Sequence, residues 1–235
     1  ADRMRGIDRS EEAIGLYRKS IEFDPGSPQY REYLGEYLHS LDRKAEAIEV
    51  WNSIAAEDRR GRESLVRLAE VLGAFKMPDL ALNAWKEASE FDLTFAQEIR
   101  YAAKLAEAKQ YESAIARFDA AEAIAETPDE QEQLLKERIL VYQSSGTLEQ
   151  QIHQLSSQDE TVSSLRKLAL MYGASGDLVS AERCIRKAIR KEPDAPEVLM
   201  VAADLAERQN RLGDAADLFG KLAVADNRFR TNYLQ

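Results

Sequence analysis

The sequence has few of the residues that build disulfide-rich, sheet-rich or membrane-spanning proteins. Its 235 residues contain one cysteine, 11 glycines and 6 prolines. A single cysteine excludes an internal disulfide framework, and the low glycine and proline content suits helices better than a sheet protein with many turns. No apolar run approaches the length that a membrane-spanning helix needs, and no Asn-x-Ser/Thr sequence occurs.

Positive charge is also scarce. The chain has 32 lysines and arginines against 42 aspartates and glutamates, which gives a net charge of −10. Nucleic acids and anionic membranes bind cationic surfaces, so this balance argues against either as a general partner. Basic pairs such as Arg186-Lys187 alternate with apolar residues and are typical of the solvated face of a helix. We therefore expect no nucleic-acid partner and no membrane insertion.

Residues that commonly carry catalysis or bind metal ions are scattered. The two histidines, His39 and His153, have no cysteine or carboxylate at ligand spacing, so the sequence predicts no metal site. The stretch from Gly213 to Lys221 has six residues between its glycines instead of four, and we interpret it as helix rather than as a phosphate loop. Carboxylates are numerous, but none lies in an apolar run that would raise its pKa. We expect no catalytic residue, no cofactor and no enzymatic activity.

A pattern of small, large and small residues recurs along the chain, and its clearest copy is Ala81, Trp85 and Ala88. Offsets of four and three residues place such a trio on one face of a helix, where it can pack closely against a neighbour. Successive leading alanines are separated by 34, 34, 33, 67 and 34 residues; they are Ala13, Ala47, Ala81, Ala114, Ala181 and Ala215. Such a period indicates repeated two-helix units that share their apolar faces with their neighbours.

The second unit adds a leucine–glycine pair and a leucine on its first helix and a small–large pair on its second: Leu34-Gly35, Leu38, Ala47 and Trp51. In this order the residues resemble the tetratricopeptide repeat. The sequence departs from that pattern at Arg31, where the family has a large aromatic residue, and at Arg59, where it has proline. The resemblance implies an all-α fold, a right-handed α–α superhelix of about seven antiparallel helix pairs in which the first and last are incomplete.

The resemblance also predicts where the units lie within a single solenoid domain over residues 1–235. We expect them at residues 1–25, 28–58, 62–92, 95–125, 128–158, 162–193 and 196–226, with a partial unit at 228–235. Residues 1–7 are interpreted as the remnant of one helix, and a new helix is predicted to begin at Ser10. We interpret the chain as a window from a longer, bacterial-type array.

The fifth unit is degenerate. Its second helix carries Gln151, Leu155 and Gln158 where small, large and small residues are expected. The gap of 67 residues divides as 37 and 30, which predicts a long first helix from about Pro128 to Ser145 and a short second helix from Thr147 to about Leu155. We expect a local change in superhelical pitch here, and weaker protection of the segment.

In the tetratricopeptide family the first helices line a concave face, which usually holds an extended or helical peptide. The resemblance therefore implies a non-catalytic scaffold for protein–protein interaction. Aligning the first helices predicts that Val66 and Ile99 also lie on this face. The polar and aromatic side chains expected to bind a partner there are Glu32, Tyr33, Glu36, His39, Glu63, Arg67, Glu70, Arg100, Lys136, Arg166, Lys167 and Asp204.

The charges on this face differ between its two ends. Relatives that hold chaperone C-terminal tails have lysine and asparagine at the positions of Glu32 and Glu36, so we expect no clamp for a terminal carboxylate. Basic residues gather further along, around Lys136, Arg166 and Lys167. This pattern predicts a partner segment with cationic residues toward the front and anionic residues toward the back. The alternative is that these are merely solvated charges.

Two other functions remain open. Exposed apolar ridges at open ends would let the array bind another copy, giving a homo-oligomer. The second alternative is that the chain is the regulatory or substrate-selecting arm of an enzyme whose catalytic part lies outside it. The composition is that of a soluble protein, for which we favour a cytoplasmic over a periplasmic location.

Overall fold

The structure is a computed structural model that describes residues 2–225, with side chains placed for residues 9–224. Over that range the chain consists of helices and connecting turns and has no strand, which confirms the predicted all-α class. The chain divides into two units, which are Ala1–Ala125 and Glu126–Gln235. The predicted partial repeat at residues 228–235 lies outside the described residues.

Unit 1 contains a leading helix and three antiparallel helix pairs. Two short 3-10 helices, Ser53–Ala55 and Glu57–Arg59, connect the first of these pairs to the second. The helices are α1 (Asp2–Phe23), α2 (Gln29–Ser40), α3 (Lys44–Asn52), α4 (Arg62–Ala74), α5 (Pro78–Ala88), α6 (Phe95–Glu107) and α7 (Tyr111–Ile124).

Unit 2 contains three further pairs. The long first helix and short second helix predicted for the degenerate repeat are confirmed as α8 and α9. The helices are α8 (Pro128–Ser145), α9 (Leu148–Ser156), α10 (Val162–Ser175), α11 (Leu178–Lys191), α12 (Pro196–Arg208) and α13 (Leu212–Ala225).

The prediction of a new helix at Ser10 is wrong, because α1 continues without a break from Asp2 to Phe23. The glycines within this stretch lower helix propensity by about 1 kcal/mol each, which does not stop a helix as a proline does. The first proline of the chain is Pro25, which follows the end of α1.

The large residues of the repeated pattern form the core. Trp51, Trp85 and Phe118 are 0%, 2% and 1% exposed, and the leading alanines of their pairs are buried as well. A small residue on one turn lets the neighbouring helix approach, and the large residue on the next turn fills the space between pairs. The packing face predicted from the period of about 34 residues is therefore confirmed in unit 1. In unit 2 it is confirmed at Ile185 in α11, which is 3% exposed.

Each helix pair turns through one residue in the left-handed backbone conformation. These residues are Asp42, Lys76, Lys109, Gly146, Gly176 and Asn210, each with a φ between 57° and 88°. They are separated by 34, 33, 37, 30 and 34 residues, so the turns repeat the spacing of the sequence pattern and its division of the 67-residue gap. A left-handed residue just after a helix lets the next amide bond back to that helix, as Met77 N does to Leu72 O at 3.0 Å. Positions in different helix pairs can therefore be compared by counting residues from this turn residue.

The two departures from the family pattern behave differently. Arg31 stands at an apolar core position and is 4% exposed. Its guanidinium donates to the backbone oxygens of Pro25 and Ser27, at 2.9 and 3.0 Å, which compensates the charge buried there. Arg59 ends the second 3-10 helix and pairs with Asp58 at 3.0 Å.

In the fifth repeat the core uses residues other than the predicted trio. Leu148 and Ile152 are the buried residues of α9 and pack against Ile139, Leu168 and Met171. Among the predicted residues, Gln151 and Leu155 are half-buried and Gln158 is exposed. The expectation that Gln151 and Gln158 would take the packing positions is therefore wrong, because two aliphatic residues four apart offer α9 a better apolar face.

Candidate interaction face of the first helices

We call the exposed sides of the first helices of the pairs the first-helix faces, formed by α2, α4 and α6 in unit 1 and by α8, α10 and α12 in unit 2. All twelve side chains predicted to meet a partner are exposed or half-buried. The prediction that Val66 and Ile99 also lie open is wrong, since they are 4% and 5% exposed. Counted from the turns, both align with Glu32, whose side chain is only 18% exposed. This position borders the core, so an apolar side chain there is buried whereas a charged one reaches solvent.

A two-point ion pair links α2 to α4. Nε and Nη2 of Arg67 both donate to the carboxylate of Glu32, and Nη2 lies 2.8 Å from Oε2. These hydrogen bonds raise the pKa of Arg67 above its ordinary value. The planar guanidinium fits a carboxylate in this arrangement better than a lysine could. The pair fixes the relative position of two neighbouring repeats at their exposed edge.

The same kind of contact recurs at later junctions. In unit 1 Glu70 of α4 pairs with Arg100 of α6, and in unit 2 Glu132 of α8 pairs with Arg166 of α10. In every case the acid lies on one first helix and the arginine on the next. We call these three contacts the charge ladder. Sequence alignment placed both partners of two of these pairs on the face, but did not place them in contact with each other.

The charge ladder changes the electrostatic character of unit 1. Glu63 pairs with Arg62, so Glu36 is the predicted acid in unit 1 that forms no ion pair with any described residue. Beside it on α2, the Tyr33 side chain is 52% exposed. The face of unit 1 is therefore compensated internally rather than acidic.

In unit 2 three cations of the face, Lys136, Arg166 and Lys167, lie on α8 and α10. Glu132 is shared by Arg166 and by Lys136, whose Nζ lies 3.5 Å from Oε1. Lys167 has no ion pair with a described residue, while Leu140, one turn after Lys136, is 55% exposed. The α8–α10 part of this face thus combines these cations with an accessible aliphatic side chain. Asp204 on α12 pairs with Arg208 of the same helix at 2.9 Å.

His39 belongs to an aromatic cluster. Its ring centroid lies 5.0 Å from that of Phe75 and 6.0 Å from that of Trp51. His39 thus covers one side of the core tryptophan at the junction of α2 with α4. Among the residues with described side chains, no three histidine, cysteine, aspartate or glutamate residues gather in a way that could hold a metal ion.

One buried carboxyl group contradicts the expectation that no carboxylate has a raised pKa. Glu98 of α6 is 6% exposed, and its Oε1 lies 3.7 Å from Nη1 of Arg117 while Oε2 has no partner. Burial raises the pKa of Glu98, and the nearby Arg117 only partly opposes this. Counted from the turn, Glu98 stands where Leu65 and Leu165 lie in other repeats. Aligning the repeats on their turns would have revealed an acid at a core position.

No described helix combines the length and the apolar character that crossing a lipid bilayer requires. The glycine-containing stretch that ends at Lys221 lies within α13, as the sequence predicted.

Comparison with known proteins gives one family match. Residues 166–228 match the sequence model of the tetratricopeptide repeat. A search of curated protein sequences finds no match.

Several solved structures are similar in backbone. A tetratricopeptide repeat protein from Parabacteroides merdae ATCC 43184 is 13% identical, with 97% of this chain and 94% of that chain covered and a TM-score of 0.45. For pilF of Pseudomonas aeruginosa the identity is 16%, the coverage 87% and 97%, and the TM-score 0.43. Against a chain of the APC/C hetero-tetramer Cut9–Hcn1 the identity is 12% and the TM-score 0.42; 96% of this chain is covered, which spans 46% of the length of that chain.

The family match covers the pairs α10–α11 and α12–α13, apart from the first residues of α10. The helix pairs of unit 1 have the same turn, spaced in the same way, and bury small and large residues at the same distances from it. In its matched residues, 166–228, the chain is therefore similar to the tetratricopeptide repeat, and unit 1 repeats the same helix-pair pattern.

Proposed function

We propose that this array is a non-catalytic scaffold that binds a peptide or protein segment on its first-helix faces. Tetratricopeptide repeats are in general scaffolds for protein–protein interaction, and the family is typically non-catalytic. The supporting observation is that the core is formed by buried residues such as Trp51 and Trp85, while the first helices expose polar residues that packing does not require. Such residues are available for a partner.

The α8–α10 part of unit 2 supplies the clearest chemistry. Lys136 is exposed and shares Glu132 with Arg166, Lys167 is half-buried and has no ion pair with a described residue, and Leu140 is 55% exposed. A segment with carboxylates on either side of an aliphatic side chain would match both features. We therefore propose an acidic segment as the partner of this part of the face.

In unit 1 the charge ladder modifies the pattern predicted from sequence. A cationic partner residue would have to displace Arg67 from Glu32 or Arg100 from Glu70, and would gain little by exchanging one ion pair for another. Glu36 and the exposed ring of Tyr33 are free of such competition. We propose that a partner contacts unit 1 through these two side chains.

The test is a charge reversal on the face of unit 2. The double variant Lys136→Glu, Lys167→Glu and the wild type are compared by affinity capture with quantitative mass spectrometry. Both proteins are then titrated with an array of nine-residue peptides in which a leucine lies between two acidic residues. We expect the variant to lose its captured partner and to bind the acidic peptides at least about tenfold more weakly.

A matched control reverses two charges on α11, where Arg190 and Lys191 are exposed. The control variant Arg190→Glu, Lys191→Glu has the same net charge as the test variant. Equal loss of binding in both variants, or no loss in either, would remove the first-helix face of unit 2 as the binding site.

A further inference from the structure

A groove lies away from the first-helix face, between the second helices α3 and α5 and above α4. We call it the α4 groove; its volume is about 300 Å³. Leu65, Leu68 and Leu72 of α4 form its floor, and Leu80 of α5, which is 38% exposed, forms one wall. Its floor is thus aliphatic, and it is open to solvent beside Leu80.

Unit 2 has a groove of the same construction above α10, with a volume of about 160 Å³. Nine lining positions are the same in the two grooves when counted from the turn residues Lys76 and Gly176. An ion pair spans each groove, and its polarity is reversed. Arg60 before α4 pairs with Glu87, whereas Glu160 before α10 pairs with Lys187 at 2.5 Å.

The chain itself fills the corresponding position at another junction. The position sixteen residues before the turn is Arg60 in the α4 groove, and at the junction of α5 with α6 it is Leu93. Leu93 lies in a non-helical segment and is 7% exposed. At that junction a leucine in a non-helical segment is therefore the side chain that is buried.

The mouth of the α4 groove suits an uncharged segment. Arg60 and Glu87 compensate each other, and the remaining polar residues at the mouth are the amides of Asn52 and Asn83. Neither amide makes a hydrogen bond to a described residue, and both side chains are exposed. Free amides can both donate to and accept from an extended peptide backbone. The α10 groove has an additional exposed cation, Arg183, and is smaller.

We propose that the α4 groove is a second docking site, which takes an extended, uncharged segment of a partner protein and buries one leucine-sized aliphatic side chain of that segment. The side chain lies on Leu65, Leu68 and Leu72, and the amides of Asn52 and Asn83 bind the segment's backbone. This site is separate from the first-helix faces and does not depend on the function proposed for them.

The probe is an acetylated and amidated peptide with the sequence of residues 90–96 of this chain, in which glutamine replaces Glu90 and asparagine replaces Asp92, so that the segment around Leu93 carries no charge. Binding to the full chain is followed by NMR chemical shifts of the methyl groups of Leu68, Leu72 and Leu80. Replacing the peptide's leucine by serine is expected to weaken binding at least about tenfold, since the serine peptide loses the burial of an aliphatic side chain.

The decisive protein variant is Arg60→Leu, which supplies the leucine found at position 93. It fills the groove from within the chain, so it is expected to raise the thermal unfolding temperature while abolishing the peptide-induced shifts. Arg60→Gln removes the ion pair without filling the groove and should bind within about threefold of the wild type. Leu80→Asp places a charge in the groove wall and should also abolish binding.

Three outcomes would overturn the proposal. These are the absence of shifts with the wild type, unchanged shifts in Arg60→Leu, and equal binding of the serine peptide. Self-association of the wild type is measured by sedimentation. If the wild type self-associates and Arg60→Leu does not, the occupant of the groove is a second copy of the chain instead. The variant Lys136→Glu, Lys167→Glu should bind the probe normally, which separates failure here from failure of the proposed function.

Discussion

The indole of Trp51 lies directly against the backbone of Gly35, so that a Cβ built on this glycine would overlap the ring. The indole Nε1 donates to the backbone oxygen of Glu32 at 3.3 Å, which holds the ring across the turn of α2 that contains Gly35. The leucine–glycine pair of the repeat pattern is thus explained in this unit by close approach, because only glycine leaves room for the fully buried indole of Trp51.

Gly35→Ala should therefore destabilise unit 1 by about 1–3 kcal/mol, the usual cost of overpacking a rigid core. The control is Gly15→Ala in α1, where nothing lies within 4 Å of the added Cβ. That variant should gain about 0.5–1 kcal/mol from helix propensity. Urea unfolding monitored by tryptophan fluorescence gives both values. Equal effects of the two substitutions would mean that the contact with Trp51 does not limit residue 35.

Glu98 should make the array less stable at neutral pH than at mildly acidic pH. Because its pKa is raised in the folded state, the protonated form is favoured there, and this stabilisation is present below the ordinary pKa of 4.5. It is lost as the pH rises through the folded pKa. Glu98→Gln should remove this loss, so its stability relative to the wild type should increase from pH 4.5 to pH 7.

Glu98→Leu should raise stability at pH 7 by about 1–3 kcal/mol, since it removes a buried oxygen without a partner and restores the leucine of other repeats. Arg117 stays 30% exposed and can be solvated. Glu63→Gln, at an exposed glutamate, is the control and should change little. A pH profile of Glu98→Gln parallel to that of the wild type would show that Glu98 does not titrate abnormally.

The turns should become more stable when a lysine is replaced by glycine. Lys76 and Lys109 have φ values of 60°, which cost a residue with a Cβ roughly 1–2 kcal/mol. Glycine adopts this conformation freely but loses more entropy on folding, so we expect a net gain of about 0.5–1 kcal/mol from Lys76→Gly. Asn210→Gly should give a smaller gain, because asparagine tolerates the left-handed region. Thermal unfolding measures both variants, and a loss of stability in Lys76→Gly would be inconsistent with strain at the turn.

The Glu32–Arg67 pair should couple neighbouring repeats weakly but measurably. A double-mutant cycle with Glu32→Gln and Arg67→Met should give a coupling free energy of about 0.2–1 kcal/mol, as expected for a partly exposed pair. The coupling should fall when the salt concentration is raised from 0.1 M to 1 M. A cycle on Glu32 and Arg100, which do not pair with each other, is the control. The same coupling in both cycles would mean a general charge effect rather than a specific contact.

The segment α9 should exchange its amide hydrogens faster than α11. It has nine residues instead of fourteen, and it buries only Leu148 and Ile152. Hydrogen exchange followed by mass spectrometry compares the two helices within one sample. Equal protection would show that these two aliphatic residues replace the missing repeat packing fully.

Much of the fold could be predicted because the signal is local. Ala81, Trp85 and Ala88 lie within two helical turns, and the periodic return of such trios fixes the helix pairs without knowledge of distant contacts. The shortened α9 was predicted for the same reason, from the division of one long gap. Its packing was not, because the choice of Ile152 over Gln151 depends on what the neighbouring helices present to it.

The candidate site was less predictable, because its contacts depend on how far each side chain extends and on which neighbouring helix it meets. Alignment identified Glu32 and Arg67 as surface residues, but their contact joins positions 35 residues apart and depends on the relative placement of two repeats. Burial of Glu98 was missed because a glutamate is ordinarily taken as a surface residue. Val66 shows the opposite error. The alignment predicted that it would be exposed because it occupies the position of the charged Glu32, but an apolar side chain at that position is buried.

The charge ladder also bears on how freely such an array can be rearranged. The three glutamates of the ladder lie ten, six and fourteen residues before their turns, whereas Arg67 and Arg100 both lie nine residues before theirs. Removal of the helix pair α4–α5 would therefore bring Arg100 to the place of Arg67, opposite Glu32. An ion pair at that junction would survive the loss of a repeat, so the exposed surface of unit 1 permits such a deletion wherever the interior does.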